Sequence, residues 1–194
     1  EGHASGVNAV GWSPDGGVLA SGDGGGGVRL WDPVSGECLR TLEGHASGVR
    51  AVGWSPDGGV LATGGGDGGV RLWDPVSGEC LRTLEGHTDF VRDVSWSPDG
   101  RTLTTSSDDR SIRFWEASSG RLIATIVPLR DGAAVVGPDE LSYKMTGNPA
   151  GELWWTIGLC RYEPGELDEF VPEMQRFPDD APLSALSTLN RSPE

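Results

Sequence analysis

The chain has no long hydrophobic run, little cysteine and few basic residues, and each shortage removes a class of function. Hydrophobic residues make up 36% of the 194 positions, and no apolar stretch approaches the roughly 20 residues that cross a bilayer, so no membrane partner is expected. There are 3 cysteines. Cys38 and Cys80 stand at matching places and Cys160 stands alone, an odd set without a disulfide framework, which points to a reducing, cytoplasmic setting. Against 29 acidic residues there are 15 basic ones, for a formal net charge of -14, a balance that repels phosphate backbones and anionic lipid, so nucleic acid is not an expected partner. No signal-like segment opens the chain and Met does not begin it; starting inside a repeating pattern, it is expected to be a piece of a longer protein.

Glycine is abundant, with 31 residues, as suits many short strands joined by tight turns. The dominant feature is repetition. Residues 1–42 and 43–84 differ only at Asn8/Arg50, Ser21/Thr63, Asp23/Gly65 and Gly25/Asp67, and a more diverged copy covers 85–126. His3, His45 and His87 thus recur every 42 residues, a period found in architectures whose units must stack because none buries its apolar face alone. Within the second copy, Val49 to Trp54 reads as a strand with a bulge near its start and Ser55-Pro56-Asp57-Gly58 as a turn. A second strand at Val60 to Thr63, a glycine-rich hairpin at Gly64 to Gly69, a third strand at Val70 to Asp74 and a fourth at Glu79 to Leu84 complete the unit. Four short antiparallel strands per period make one twisted sheet.

Three sets of residues carry a family resemblance: Gly2-His3, Gly44-His45 and Gly86-His87; the Trp-Ser-Pro-Asp-Gly runs from Trp12, Trp54 and Trp96; and the pairs Trp31-Asp32, Trp73-Asp74 and Trp115-Glu116. Together they resemble the WD-repeat family over residues 1–126, with Glu116 a conservative departure. The resemblance implies an all-β propeller that serves as a rigid platform for protein partners, with no chemistry and no cofactor of its own. It also implies an internal hydrogen-bond relay in each blade: His45, Thr63, Asp67 and Trp73 in the second, His87, Thr105, Asp109 and Trp115 in the third. In the first, His3, Ser21 and Trp31 are in place, but Gly25 occupies the acid's position and Asp23 lies two residues early. On this reading blade 1 lacks its acid, and Gly25→Asp is expected to raise thermal stability.

Ser or Thr, His and Asp in one cluster also spell a hydrolytic triad, but a set that recurs in every repeat and ends on a tryptophan points to architecture. The Gly22 to Gly27 run is followed by no Gly-Lys-Ser/Thr and reads as a hairpin. The three histidines, one per repeat, do not suggest a shared metal site. The family's partner-binding rim maps to Gly6, Asn8 and Gly24, then Gly48, Arg50 and Gly66, then Phe90, Arg92 and Asp108. Arg50, Phe90, Arg92 and Asp108 are the candidate contacts, since arginine and aromatic residues dominate interface energies. The same side chains also read as two solvated arginines and a phenylalanine packed on the neighbouring blade.

After residue 126 the pattern breaks. Strands at Ala133 to Val136, Leu141 to Met145, Glu152 to Thr156 and Ile157 to Tyr162 read as an atypical terminal blade over 127–165, followed by a tail at 166–194 with a short helix at Leu183 to Leu189. The stretch Leu153 to Asp168 resembles the end of propellers in bacterial signalling proteins of the STAND NTPase type. Four blades are few for a propeller, so two chains meeting end to end are expected to close an eight-bladed ring as a homodimer. The functional expectation is a protein-interaction or sensor platform. A purely structural or oligomerising element is the alternative, and a Ser/Thr-His-Asp hydrolase a more distant one.

Overall fold

The computed structural model describes residues 2–130, 132–138, 142–147, 155–157, 160–162, 175–178 and 182. The chain divides into two units, Glu1–Arg110 with Trp115–Arg121, and Ser111–Phe114 with Leu122–Glu194. Among the described residues every regular element is a strand, and no helix is long and apolar enough to cross a membrane.

In the first unit, β1 (Val7–Trp12), β2 (Leu19–Asp23), β3 (Val28–Trp31) and β4 (Cys38–Leu42) form one four-stranded antiparallel sheet in chain order, and β5 (Val49–Trp54), β6 (Leu61–Gly65), β7 (Val70–Trp73) and β8 (Cys80–Leu84) form its copy. The third repeat supplies the antiparallel pair β9 (Val91–Trp96) and β10 (Thr102–Ser107). The turn chemistry explains why the copies fold alike. Ser13 Oγ donates to Asp15 at 2.6 Å and accepts from the Val18 amide at 2.9 Å, and the same pair of bonds recurs at Ser55 and Ser97. Gly16, Gly58 and Gly100 follow the acid with φ near +70° (73°, 73° and 68°), a conformation that disfavours any side chain.

Each first strand carries a bulge. Pairing jumps between Val7 and Ala9 in β1 and between Val49 and Ala51 in β5, and in the third repeat Ser106 and Ser107 of β10 face Asp93 and Val91 of β9. Asn8, Arg50 and Arg92 are therefore the unpaired bulge residues, and a bulge re-aims the side chain it carries. The core joins the first two repeats: Ala20, Val28, Leu30 and Leu42 pack with Val49, Leu61 and Trp73, and Val52 and Trp54 close over them. Each large side chain buried there stabilises the fold by about 1.5–3 kcal/mol.

Strand β11 (Ile112–Glu116) contributes residues to both units. In the second unit, β12 (Leu122–Leu129) pairs antiparallel with β13 (Gly132–Val136), β13 with β14 (Ser142–Gly147), and β14 runs parallel to β17 (Gln175–Arg176). The hairpin of β15 (Trp155–Ile157) and β16 (Cys160–Tyr162) makes a separate two-stranded sheet. These pairings differ from the terminal blade read from the sequence. The strand at Ala133 to Val136 does not open a fresh sheet but lies against the strand that ends the third repeat, because β12 is long, 8 residues, and turns straight back at Arg130. The edge of β14 expected to meet a third strand is instead taken by β17. Ala124 and Val135 anchor this unit's core with Ile123, Ile126 and Phe177. The expected helix at Leu183 to Leu189 lies outside the described residues, as does most of the stretch from Leu153 to Asp168.

Candidate functional site

Every repeat holds a buried chain of hydrogen bonds that ends on its third-strand tryptophan. In the second repeat Trp73 Nε1 donates to Thr63 Oγ1 at 2.8 Å, Thr63 Oγ1 lies 2.8 Å from His45 Nε2, and His45 Nδ1 lies 3.1 Å from Asp67 Oδ1. In the third, Trp115 Nε1 donates to Thr105 Oγ1 at 2.9 Å, His87 Nε2 lies 2.8 Å from that hydroxyl, and His87 Nδ1 lies 2.7 Å from Asp109 Oδ2. In the third, the tautomer with its proton on Nδ1 donates to the facing Asp109 carboxylate. The neutral ring then accepts the hydroxyl proton at Nε2, while the hydroxyl oxygen accepts the indole N–H.

The first repeat is not missing its acid. His3 Nδ1 meets Asp23 Oδ2 at 2.7 Å, His3 Nε2 meets Ser21 Oγ at 2.5 Å, and Trp31 Nε1 donates to Ser21 Oγ at 2.7 Å. Asp23 closes β2 and reaches the imidazole from the strand, whereas Asp67 reaches it from the hairpin two residues later. Its other oxygen accepts the Gly25 and Gly27 amides at 2.8 and 2.9 Å. The expectation that Gly25 leaves the repeat without an acid is thus corrected. The exchange of Asp23/Gly65 and Gly25/Asp67 between the copies moves the carboxylate without losing it. In the second repeat a side chain at Gly65 would press on His45 Nδ1 and Asp67 Oδ1, so glycine there leaves room for the hairpin acid of that repeat. The third repeat seats Ser107 there by turning its hydroxyl to the Asp89 carbonyl, at 3.1 Å.

Arg71 was not singled out by the sequence, yet its Nη1 lies 2.6 Å from His45 Nδ1 and 2.9 Å from Asp67 Oδ2. The period-2 alternation of β7 was the available signal, since it places Arg71 and Trp73 on one face. Burial lowers the His45 pKa, opposed by Asp67 and reinforced by Arg71. Burial also pushes Asp67 up, but the Ala46 amide, His45 and Arg71 outweigh it and bring the carboxyl down to about 2. The unfolded chain therefore takes up the His45 proton first as pH falls below about 6.5, and the Asp67 contribution is lost between its unfolded value and about 2. The melting temperature is expected to fall from pH about 7.5 to about 5, and His45→Gln to flatten that decline; a melting temperature that rises on acidification contradicts this.

The relay hydroxyls are sealed: Ser21, Thr63 and Thr105 are 4%, 0% and 1% exposed, and each is already engaged by an indole and an imidazole. Such a hydroxyl has no path to a substrate, so the set lacks the reachable nucleophile that a hydrolytic triad requires.

The candidate rim residues come together at the junction of the second and third repeats. Arg50 places its guanidinium carbon 4.9 Å from the centre of the Phe90 ring, and Arg92 places its own at 5.6 Å. Phe90 lies over Gly66, where an added Cβ would stand 3.5 Å from the ring. Asp108 pairs with Arg92 through both carboxylate oxygens, and this bond, more than any other influence, holds the Asp108 pKa below its usual value. Arg50 forms no ion pair among the described residues, and its buried Nε has no hydrogen-bond partner. In the first repeat the same bulge position holds Asn8, whose amide is spent on the Val49 carbonyl at 3.1 Å.

Comparison with curated proteins returns no match. The family described as WD domain, G-beta repeat, matches residues 1–32, 36–74 and 78–116. The second and third segments begin ahead of β4 and β8 and end with β7 and β11, so each spans four strands at the 42-residue period, and the three segments make up more than half of the chain. The protein belongs to the WD40-repeat family, whose repeats form four-stranded antiparallel blades and generally mediate protein–protein interaction.

Proposed function

We propose that the chain is a non-catalytic WD40 platform that binds a carboxylate-rich segment of a protein partner over Phe90, between Arg50 and Arg92. The observation that carries this is the pair of guanidinium groups flanking one aromatic ring at a blade junction, in a chain whose formal net charge is -14. Stacking on an aromatic face pre-positions an arginine's donors, and such arginines are strong contributors at interfaces. Asp108 offsets the charge of Arg92, leaving Arg50 as the cation open to an acidic group. Titration of a fluorescent, aspartate- and glutamate-rich peptide, followed by anisotropy, tests the reading. Binding is expected at low salt and weakens as salt is raised, while a lysine-rich peptide of equal length does not bind. Equal binding of both peptides, or of neither, favours the structural or oligomerising alternative. The resemblance of Leu153 to Asp168 to STAND-type propeller ends supports reading the platform as part of a larger bacterial signalling protein, a reading tested by whether a nucleotide-binding domain is encoded in the same polypeptide.

A further inference from the structure

A cavity recurs beside the Ser-Pro-Asp-Gly turns, in two sizes. Between the first two repeats it measures about 470 Å³ and is lined by Pro14 and Asp15 of one turn, Trp54 and Asp57 of the next, and Pro75 and Val76. Between the second and third repeats it measures about 710 Å³, well within the range of small-ligand sites. Every described residue lining the larger cavity belongs to the first unit. It lies at the turns that follow β5 and β9, at the opposite ends of these strands from Arg50 and Arg92.

The difference traces to one turn. Where the second repeat has Pro75 and Val76, the third has Ala117 and Ser118, two smaller side chains, at the same place on the lining. Alanine also supplies the amide that proline lacks, and that N–H donates to the Arg101 carbonyl at 2.9 Å, which ties the turn to its own repeat. The larger cavity extends to Leu72, Leu81 and Arg82, whereas their counterparts Leu30, Leu39 and Arg40 do not line the smaller one. Its walls are of two kinds. Val60, Leu72, Leu81 and Trp96 are apolar, with Leu72 only 2% exposed at the base, while Asp57 and Asp99 bring two carboxylates. Asp57 Oδ1 accepts the Ser55 hydroxyl and the Gly59 amide, and Asp99 Oδ1 the Ser97 hydroxyl and the Arg101 amide. Those bonds, the serine's first, hold both carboxyls below their usual value, and Oδ2 of each accepts no bond among the described residues. Arg82, the cation on the lining, gives its Nη2 to the Ser118 carbonyl at 2.6 Å, so the two carboxylates outnumber it.

We infer that the cavity between the second and third repeats binds a small organic cation, an apolar body ending in one ammonium group. The apolar body lies against Leu72, Leu81 and Trp96, and the ammonium pairs with the free carboxylate oxygens of Asp57 and Asp99. Both halves are needed: the apolar wall supplies burial that a bare metal ion or polyamine would not use, and the carboxylates set the sign of the charge. The site is separate from the Arg50 and Phe90 cluster, favours the opposite charge and does not depend on it.

Titration of the isotope-labelled full chain with phenylbutylamine, followed by NMR, tests this, with phenylbutanol and phenylbutyrate as neutral and anionic molecules of the same body. The amine is expected to shift the Leu72 and Leu81 methyl signals and the Trp96 indole signal, to bind about tenfold more tightly than the butyrate, and to weaken as salt is raised. Ala117→Pro with Ser118→Val copies the turn of the second repeat and should abolish the shifts. Asp99→Asn keeps an oxygen acceptor for the turn and should weaken the amine severalfold while leaving the alcohol unchanged. No shift at Leu72, Leu81 and Trp96 with the amine overturns the proposal, whether the cavity is unsuited or already covered. Equal affinity for amine and butyrate, or an amine that binds the copied turn as well as it binds the natural one, overturns it too.

Discussion

Replacing Asp23 by alanine is expected to lower the stability of the protein by about 3 kcal/mol, and Gly25→Asp to bring no gain. Asp23 is 6% exposed and supports three donors at once: the His3 imidazole and the Gly25 and Gly27 amides. Burial acts to raise its pKa, yet the Gly27 amide, His3 and the Gly25 amide together draw it below the usual value, so the ionised form is the one the fold holds. Truncation leaves those donors facing a space with no acceptor, and with them the Ser21 and Trp31 links that hang on the His3 tautomer. An aspartate at position 25 cannot take over while Asp23 is present, since its Cβ would lie 3.3 Å from Asp23 Oδ1 and 3.2 Å from Ser5 Oγ, setting two carboxylates against one imidazole. The double variant Asp23→Gly with Gly25→Asp copies the second repeat and should recover most of the loss. Chemical denaturation of the three variants measures this; a loss under about 0.5 kcal/mol for Asp23→Ala contradicts it.

Gly22→Ala is the second large effect, with an expected cost of about 1–3 kcal/mol. The new methyl group would overlap Val49, which is fully buried between the first two repeats, so either the strand backs away or Val49 leaves its packing site. Gly6→Ala is the matched control, because nothing lies within 4 Å of a Cβ there, and its melting temperature should stay at the wild-type value. If Gly22→Ala melts with that control, glycine at this position does not set the spacing between repeats.

The repeat, its four strands, the bulge and the turns were legible because they rest on local chemistry: the period of the histidines, the Ser-Pro-Asp-Gly turns and the alternation along each strand. The acid of the first relay was misread because a motif position was taken for the interaction itself. What matters is a carboxylate within reach of His3 Nδ1, and two backbone sites can supply it. The paired exchange at 23/65 and 25/67 was in the sequence all along as a sign of compensation. The second unit was less legible because strand partners there depend on which edges meet, and neither a period nor a turn motif states that β12 takes β13 or that β17 takes the edge of β14. The gathering of Arg50 and Arg92 on Phe90 could be anticipated as a set of rim positions, but the stacking itself depends on side chains of two repeats meeting at their junction, which no period or turn motif states.

The rim can be altered with a residue the fold already tolerates at the same bulge, because Arg50→Asn reproduces Asn8 of the first repeat. Titrating the acidic peptide against wild type and Arg50→Asn is the most direct test of the functional account. The account predicts an affinity weaker by about tenfold or more, about 1.4 kcal/mol, with an unchanged melting temperature. Equal affinity in the two proteins would contradict it.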